Sequence, residues 1–202
     1  EMNMLDDKEF YEALQSINRT SQHLSNTIDD FRNFFSPNKE MNKFYVSQLI
    51  KKSKDLIKSR FDKFNIKVIE NIDDIEILSY QNELFQVILN LFSNSIDVLS
   101  SNEIEDKIIH IKIYQDENNL CIEFLDNGGG IKDEFINRVF EPYFTTKHKS
   151  QGTGIGLYMS LQIVTKHLNG EISVKNDTFI ENNIAYFGAK FTILLPIHPK
   201  NS

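Results

Sequence analysis

The sequence predicts an α+β fold: a two-layer α/β sandwich in which a mixed, mostly antiparallel sheet packs on helices, preceded by one long helix. Two patterns support this prediction. Some stretches repeat apolar residues every three or four positions, as helices do, and others alternate apolar and polar residues, as strands do. A third observation concerns the order of these stretches. The regular strand-helix-strand alternation of a parallel sheet is weak, which favours an antiparallel arrangement.

The composition fits a soluble domain of ordinary size with an appendage. The chain has 202 residues, 40% of them hydrophobic, with 16 Phe and no Trp. A net charge of −7 argues against nucleic acid as the main partner, because Lys and Arg bind the phosphate backbone. The single Cys121 excludes an internal disulfide and indicates a reducing, cytoplasmic compartment. Since no apolar run reaches the roughly 18 residues of a membrane span, we expect any anchoring in the inner membrane to use segments outside this sequence.

Residues 8–35 are predicted to form the long helix. Its apolar seam, in which Ser21 is the one weak position, has spacings that alternate between four and three: Phe10, Leu14, Ile17, Ser21, Leu24, Ile28, Phe31 and Phe35. Such a heptad seam favours a helix from a bundle or a dimer stalk. The alternative is an amphipathic helix that lies on its own domain. Pro37 cannot continue a helix, so the chain divides into an N-terminal part, 1–38, and a second part, 39–202.

The second part is predicted to contain the sandwich. It begins with a helix over about 49–64, which strands at 66–72 and 75–80 follow. Asn82 is placed to cap a helix that runs to about Leu99. The remaining predicted elements are strands 107–116 and 119–126 joined by a turn at Glu117-Asn118, a loop over 127–152, a helix from about Gly154 to Leu168, and strands 171–176 and 189–196.

The helix at 81–100 carries a polar stripe on an otherwise apolar surface. The stripe has spacings of three and four residues: Gln86, Asn90, Asn94, Asp97 and Ser101. Asn is a poor helix former, so the two Asn residues one turn apart need a reason. They could form a polar seam against another backbone. Alternatively, their amide oxygens face a pocket and suit a hard cation such as Mg²⁺, which uses few protein ligands together with substrate phosphates.

Asp126 ends an apolar strand and precedes three glycines. On that strand it shares a face with Ile122 and Phe124, where a carboxylate is costly unless a donor binds it. It could simply cap its own turn. The functional interpretation is an acceptor for an exocyclic amine, such as the N6 group of adenine, next to a loop that a ligand can approach closely.

The stretch FEPYFTTKHKSQGTGIGL (140–157) has the composition of a phosphate-covering loop. Its aromatic residues anchor it, its Thr and Lys residues supply hydroxyls and positive charge, and its glycines open a helix whose free N–H groups favour an anion. The glycine spacing fits neither a Walker loop nor a dinucleotide-binding turn. An ordinary surface loop before a helix is the alternative.

Together these motifs resemble those of a known family. Asn90-x-x-x-Asn94, DNGGGI, FEPYFTTK and GTGIGL, in this order, resemble the N, G1, F and G2 boxes of sensor histidine kinases, and the likeness covers roughly residues 40–197. The resemblance implies the Bergerat-type ATP-binding sandwich that DNA gyrase shares. It also implies a site for ATP and Mg²⁺ that comprises Asn90, Asn94, Asp97, Asp126, Gly128, Gly130, Ile131, Phe140, Thr145, Thr146, Lys147, Gly152, Thr153, Gly154, Ile155, Gly156, Leu157 and Thr192.

The resemblance also implies roles for individual residues. Asn94 would hold Mg²⁺, with Asn90 beside the phosphates. Asp126 would take the adenine amine with support from Thr192, and residues 131–151 would form the lid.

Two positions depart from relatives of this family. Hydrolysing relatives carry a water-activating Glu where this chain has Asn90, which favours a phosphotransferase. Many kinases carry Lys or Arg where this chain has Asp97, so the phosphate-facing cation is expected to be Lys147 or Lys149.

The expected function is transfer of the ATP γ-phosphoryl group to a histidine, and then to an aspartate of a response-regulator receiver domain. On the resemblance, residues 1–38 are the second helix of the dimerisation and phosphotransfer hairpin plus a linker, and the intact protein is a homodimer. His23 is a poor candidate acceptor because Leu24 follows it. The acceptor is therefore expected upstream, and this chain is expected to bind Mg-ATP without labelling itself. An ATPase or serine kinase of the same fold, or a nucleotide-binding interaction module without turnover, are the alternatives.

Overall fold

The computed structural model describes residues 10, 11, 14, 40–147 and 152–197. Residues 10, 11 and 14 are helical and exposed. The elements that follow, in chain order, are β1 (Asn42–Tyr45), α1 (Val46–Phe64), β2 (Ile66–Ile72), β3 (Glu76–Ser79), α2 (Gln81–Ser101), β4 (Lys107–Asp116), β5 (Asn119–Asp126), the single turn α3 (Asp133–Ile136), α4 (Gly156–Gln162) with a π-helical turn (Ile163–His167), β6 (Glu171–Glu181) and β7 (Ile184–Pro196).

Five strands form one mixed sheet in the order β2-β4-β5-β7-β6. β2 and β4 are parallel, and the other three pairs are antiparallel. The two short strands β1 and β3 pair separately and antiparallel. Helices cover one face of the large sheet, so the predicted two-layer α+β sandwich is confirmed.

The core lies between α2 and the large sheet. Phe92 of α2 stands at its centre, edge-on to Phe61 of α1 at a centroid distance of 5.5 Å and to Phe124 of β5 at 5.0 Å. All three rings are buried, and such edge-to-face pairs each contribute about 0.5–1.5 kcal/mol beyond area burial. This packing fixes the rotation of α2 about its axis, and therefore the direction in which its polar stripe points.

Several predicted boundaries change. β1 was not predicted, because four residues next to a linker are too few to show alternation. The N-cap position of α2 is Tyr80, without a side-chain cap, so the prediction that Asn82 caps this helix is wrong. The helix expected from Gly154 begins at Gly156, and its last turn is π-helical.

The β6–β7 hairpin is much longer than the two predicted strands. It extends to a two-residue turn at Asn182 and Asn183, both with positive φ (51° and 63°). A turn of this kind needs positive φ at both central residues, which Asn tolerates well. The predicted strand ends at residue 176, before residues 177–181 of β6, because polar side chains interrupt the apolar pattern there.

Most of the predicted N-terminal helix, including Ser21, His23 and the linker at 36–39, lies outside the described residues, so its assignment and the domain division stay predictions. In the part of the chain that the structure describes, no helix is long and apolar enough to cross a membrane.

Candidate functional site

A pocket of about 370 Å³ opens between α2, the loop after β5 and the loop before α4. Most of the residues predicted for the site line it: Asn90, Asn94, Asp97, Asp126, Gly130, Ile131, Thr145, Thr146, Lys147, Gly152, Thr153, Gly154, Ile155, Gly156 and Leu157. A volume of this size lies within the range of small-ligand sites. Three stretches that are distant in the sequence therefore meet around one cavity.

Asn90 is held firmly at one side of this pocket. Its Nδ2 donates to the Oγ of Ser160 on α4, at 2.8 Å, and Ser160 is only 1% exposed. A Cβ at Gly156 would lie 2.4 Å from Asn90 Oδ1, so only glycine fits there without displacing the amide. The α2 stripe and the start of α4 are thus locked together through one polar side chain.

Asn94 differs from Asn90 in having an unused polar atom. Its Nδ2 is buried, and no described residue accepts a hydrogen bond from it. Leaving a buried donor unsatisfied costs about 1–3 kcal/mol. Asn94 is a lining residue of the pocket, but this N–H is buried within the protein and is not itself a contact for a ligand. Gln86 and Ser101, at the two ends of the predicted stripe, do not line the pocket.

Asp126 also lines the pocket, with 4% exposure. Its Oδ1 accepts from the backbone N–H of Gly128 at 2.9 Å, and its Oδ2 accepts from Ser95 Oγ at 3.2 Å. Burial raises the pKa of this carboxyl, while hydrogen bonds from Gly128, Ser95 and the backbone of Ala189 lower it in part. The carboxylate is therefore fixed in position, at an energetic cost, in a wall of the pocket.

The mouth of the pocket carries a cluster of charged side chains. Asp97 Oδ2 accepts from Lys147 Nζ, and its Oδ1 accepts from Arg60 of α1, both at 2.7 Å. The same Arg60 also donates to Ser93 Oγ at 2.7 Å. Lys147 thus reaches the site as predicted for a cation, but it is paired with the acid of α2. Lys149, the other predicted cation, lies outside the described residues.

Three predicted site residues do not line the pocket. Thr192 lies beside Glu123 and Ser173 in the sheet register, and it faces away from the helices because its neighbours Phe191 and Ile193 face the core. It therefore does not approach Asp126 from the pocket side. Gly128 reaches the site only through its hydrogen bond to Asp126. Phe140 packs on Phe191 at a centroid distance of 6.4 Å.

The sequence analysis missed several lining residues, most of them apolar: Ser93, Ser95, Val98, Phe135, Val139, Phe144, Met159, Ala189 and Phe191. Ser93 and Val98 lie beside the Asn stripe on α2, so helical spacing was a usable signal for them. Ala189 and Phe191 come from β7, and no local pattern relates that strand to the cavity.

The described residues contain no cluster of three or more His, Cys, Asp or Glu side chains that would bind a metal ion by themselves. A site for Mg²⁺ at Asn94 is compatible with this finding, since Mg²⁺ commonly takes one or two protein ligands and completes its shell with water and phosphate oxygens. Of the two amide atoms of Asn94, only the oxygen could coordinate the cation.

Comparison with known proteins gives consistent matches. The family described as histidine kinase-, DNA gyrase B- and HSP90-like ATPase matches residues 79–199. Sporulation kinase E of Bacillus subtilis is 32% identical over 155 residues, which are 76% of this chain and 19% of that protein. The histidine-protein kinase AtoS of Escherichia coli is 29% identical over 160 residues, 78% of this chain and 24% of that protein. The chain thus spans about a fifth to a quarter of these relatives.

Solved structures agree with these matches. The catalytic domain of histidine kinase ThkA is 25% identical with a TM-score of 0.65, covering 79% of this chain and 97% of that one. A second structure, of ThkA in complex with the response regulator protein TrrA, has a TM-score of 0.75 at 20% identity, covering 97% of this chain and 54% of that one. At that lower identity the likeness shows the fold alone.

Proposed function

The chain belongs to the histidine kinase-, DNA gyrase B- and HSP90-like ATPase family, and on this premise we propose that it is the ATP-binding catalytic region of a two-component sensor histidine kinase. The proposed reaction is transfer of the γ-phosphoryl group of ATP to a histidine. The observation that carries the proposal is the pocket itself, which is lined by the buried carboxylate of Asp126 and by the amides of Asn90 and Asn94.

The base end is proposed to select adenine. Asp126 is held by donors on its protein side, and a carboxylate retains acceptor capacity beyond two hydrogen bonds. The exocyclic amine of adenine is a donor, whereas guanine presents a carbonyl oxygen at the equivalent position. A fixed acceptor therefore discriminates between them.

The other end is proposed to take the phosphates. Asn94 would hold Mg²⁺, which when bound neutralises charge on the transferring phosphoryl group. Asn90 orients α4 through Ser160. Gly152, Gly154 and Gly156 line the pocket without side chains that would block a phosphate. The described residues thus bind and orient the nucleotide, and most of the catalysis in phosphoryl transfer is positioning of this kind.

Transfer to a histidine is favoured over hydrolysis by the carboxylates of the pocket. Of its described lining residues only Asp97 and Asp126 are acidic. Asp97 is bound by two cations and Asp126 by three hydrogen-bond donors. Neither is available as the general base that would activate water, and the amide of Asn90 cannot accept a proton. This supports an external nucleophile.

The partners of the reaction are also part of the proposal. We infer that the acceptor histidine lies on a dimerisation hairpin in a homodimer, that residues 1–38 supply its second helix, and that the phosphoryl group passes to a response-regulator receiver domain. ThkA, whose catalytic domain is 25% identical to this chain, was solved in complex with a response regulator, which supports the last of these inferences.

The proposal is tested by titrating the chain with ATP, with and without Mg²⁺, and then adding γ-labelled ATP and an acceptor-histidine hairpin in trans. The expected result is saturable binding that Mg²⁺ strengthens, and acid-labile label on the hairpin. Release of phosphate to water instead would favour an ATPase, and acid-stable label on serine would favour a serine kinase. Binding without either reaction would favour an interaction module.

A further inference from the structure

The loop Asn127–Lys132, between β5 and α3, lines the base end of the pocket and has no regular secondary structure of its own. An irregular loop loses conformational entropy when it is ordered around a ligand, unless other contacts already hold it. The question is therefore which residues hold this loop in place.

Asn176 of β6 makes both of the hydrogen bonds that the backbone of Ile131 offers. Its Oδ1 accepts from Ile131 N–H at 2.8 Å, and its Nδ2 donates to the Ile131 carbonyl at 2.7 Å. One side chain thus acts as an extra strand partner for a residue 45 positions earlier in the chain. In the sheet register Asn176 lies opposite Ala189, which itself lines the pocket.

The contact between Asn176 and Ile131 requires glycine at position 130, the residue before Ile131. Its φ is +80°, and a Cβ there would lie 2.7 Å from Asn176 Oδ1 and 2.9 Å from the ring of Phe187 on β7. A side chain at position 130 would therefore be strained and would also collide with Asn176. The neighbouring Gly129 donates its N–H to the Phe187 carbonyl at 3.3 Å. Both strands of the hairpin thus hold the glycine loop.

We infer that Asn176 is a positioning residue for the base-binding loop, an inference that rests on the proposed ATP-binding function. It holds Gly130 and Ile131 in the pocket wall, while Gly128 of the same loop donates to Asp126. The loop is thus fixed at both ends, and the carboxylate and the glycine backbone keep one relative position. Holding the loop in place therefore strengthens binding of the base and not binding of the phosphates.

A positioning role and a purely structural role of Asn176 predict different effects on nucleotide binding. A residue that only tethers the hairpin would change the unfolding midpoint and leave the binding of folded protein unchanged. If the residue positions the base-binding loop, its substitution lowers the affinities for AMP and ATP by the same factor, because both nucleotides carry the same base. It also lowers the preference for ATP over GTP.

The experiment measures Kd for AMP, ATP and GTP, together with the thermal midpoint, in the unaltered chain and in Asn176→Ala. Thr178→Ala is the matched control, since Thr178 is exposed, lies on the same strand and shares its face. We expect Asn176→Ala to lower the affinities for AMP and for ATP alike by about tenfold, the equivalent of two modest hydrogen bonds. It should also reduce the preference for ATP over GTP. Thr178→Ala should change neither the affinities nor the preference.

Asn176→Ser keeps one small polar group and is expected to lose less, which covers the case in which the alanine variant does not fold. Unchanged Kd values with only a lower midpoint would overturn the inference, as would a loss for ATP that AMP does not share. If the unaltered chain bound no ATP at all, the proposed function would fail first, and this inference with it.

Discussion

The two ends of the pocket differ in the interactions that hold their side chains: buried hydrogen bonds at the base end and partly exposed ion pairs at the mouth. At the base end, Asp126 is 4% exposed and is held by short-range hydrogen bonds from the backbone and from Ser95. At the mouth, the side chains of Asp97 and Lys147 are 35% and 29% exposed and meet as full charges. Hydrogen bonds in a desolvated wall depend on geometry and respond little to salt, whereas partly exposed ion pairs are screened.

This difference teaches where specificity and where adaptability lie. Removing one member of a buried hydrogen-bonded set leaves the others unsatisfied, which is costly. Removing one member of an exposed ion pair lets water replace it. We therefore expect substitutions at the base end to lower nucleotide affinity strongly, selectively for the base and independently of salt. Substitutions at the mouth should have small effects on affinity that increase with the charge of the ligand and depend on salt.

The largest effect is expected for Asp126→Asn. Exchanging the carboxylate for an amide removes a charge-assisted acceptor, and such hydrogen bonds are worth about 1.5–3 kcal/mol, so ATP affinity should fall by roughly tenfold to a hundredfold. The preference for ATP over GTP should fall with it, at low and high salt alike, while the fold is kept.

Calorimetric titration at two salt concentrations measures this prediction. Asp116→Asn is its control, because Asp116 is an exposed residue at the far end of β4. ATP affinity that is unchanged in Asp126→Asn would remove Asp126 from the base site, and a loss that high salt abolishes would remove the contrast between the two ends.

The second prediction concerns pH and protein stability. Because burial raises the pKa of Asp126, the native state binds this proton more tightly than the unfolded state does. Its contribution to the free energy of unfolding is fully present below the unfolded-state pKa and is lost as pH rises through the folded-state pKa. The stability of the unaltered chain relative to Asp126→Asn should therefore grow as pH falls through the raised folded-state pKa toward the ordinary carboxyl pKa, with a slope of at most about 1.4 kcal/mol per pH unit.

Denaturant unfolding across that range measures the difference. Asp177→Asn provides a control of opposite sign, since a hydrogen bond from Lys175 lowers the pKa of Asp177. The stability of the unaltered chain relative to this variant should shrink as pH falls. Parallel curves for the unaltered chain and Asp126→Asn would show that Asp126 does not titrate differently in the folded state.

Gly156→Ala tests a part of the phosphate end where the packing is tight. The added Cβ would lie 2.4 Å from Asn90 Oδ1, so the Asn90 amide must move and its bond to Ser160 must break. ATP affinity should fall by about tenfold, which equals the loss of roughly 1.4 kcal/mol. Ser160→Ala removes the same hydrogen bond without the collision and should lose less.

ATP titration of the two variants separates packing from hydrogen bonding. An equal loss in both would assign the whole effect to the hydrogen bond. No loss in Gly156→Ala would show that Asn90 has room to move, and this contact of the phosphate end would then be adaptable.

The sequence predicted these two ends unequally, and the reasons are physical. The α2 stripe and Asp126 were predictable because helical and strand periodicities are local, and because a polar residue in an apolar stretch is conspicuous. Asn176 was not predictable, because its partner Ile131 is 45 residues away and nothing in β6 marks the contact. Asp97 and Lys147 were predicted for the site, but Arg60 and the two ion pairs that join these residues were not, for the same reason. Thr192 was placed wrongly, because an inference from resemblance ignored the alternation of faces along β7.

The smallest effect is expected for Lys147→Ala. Lys147 Nζ donates to Asp97 at 2.7 Å in a partly exposed pair, and such pairs contribute about 0.2–1 kcal/mol. The proposed phosphates would compete with Asp97 for this cation. We therefore expect ATP affinity to fall only about twofold to fivefold, ADP affinity less, and AMP affinity not at all. High salt should reduce the difference.

The small effect of Lys147→Ala can be interpreted by comparing it with a substitution of opposite charge, Asp97→Asn. Asp97→Asn removes a negative charge beside the same site and releases Lys147 from its partner, so it should shift ATP affinity in the opposite direction, upward. Lys43→Ala is the control, since Lys43 pairs with Glu76 on an exposed surface of the small sheet. If Lys147→Ala weakened AMP as much as ATP, or if both variants lowered ATP affinity, the mouth would be a geometrically fixed site like the base end. The contrast between a rigid, buried contact to the base and a screened, exchangeable contact to the phosphates would then be wrong.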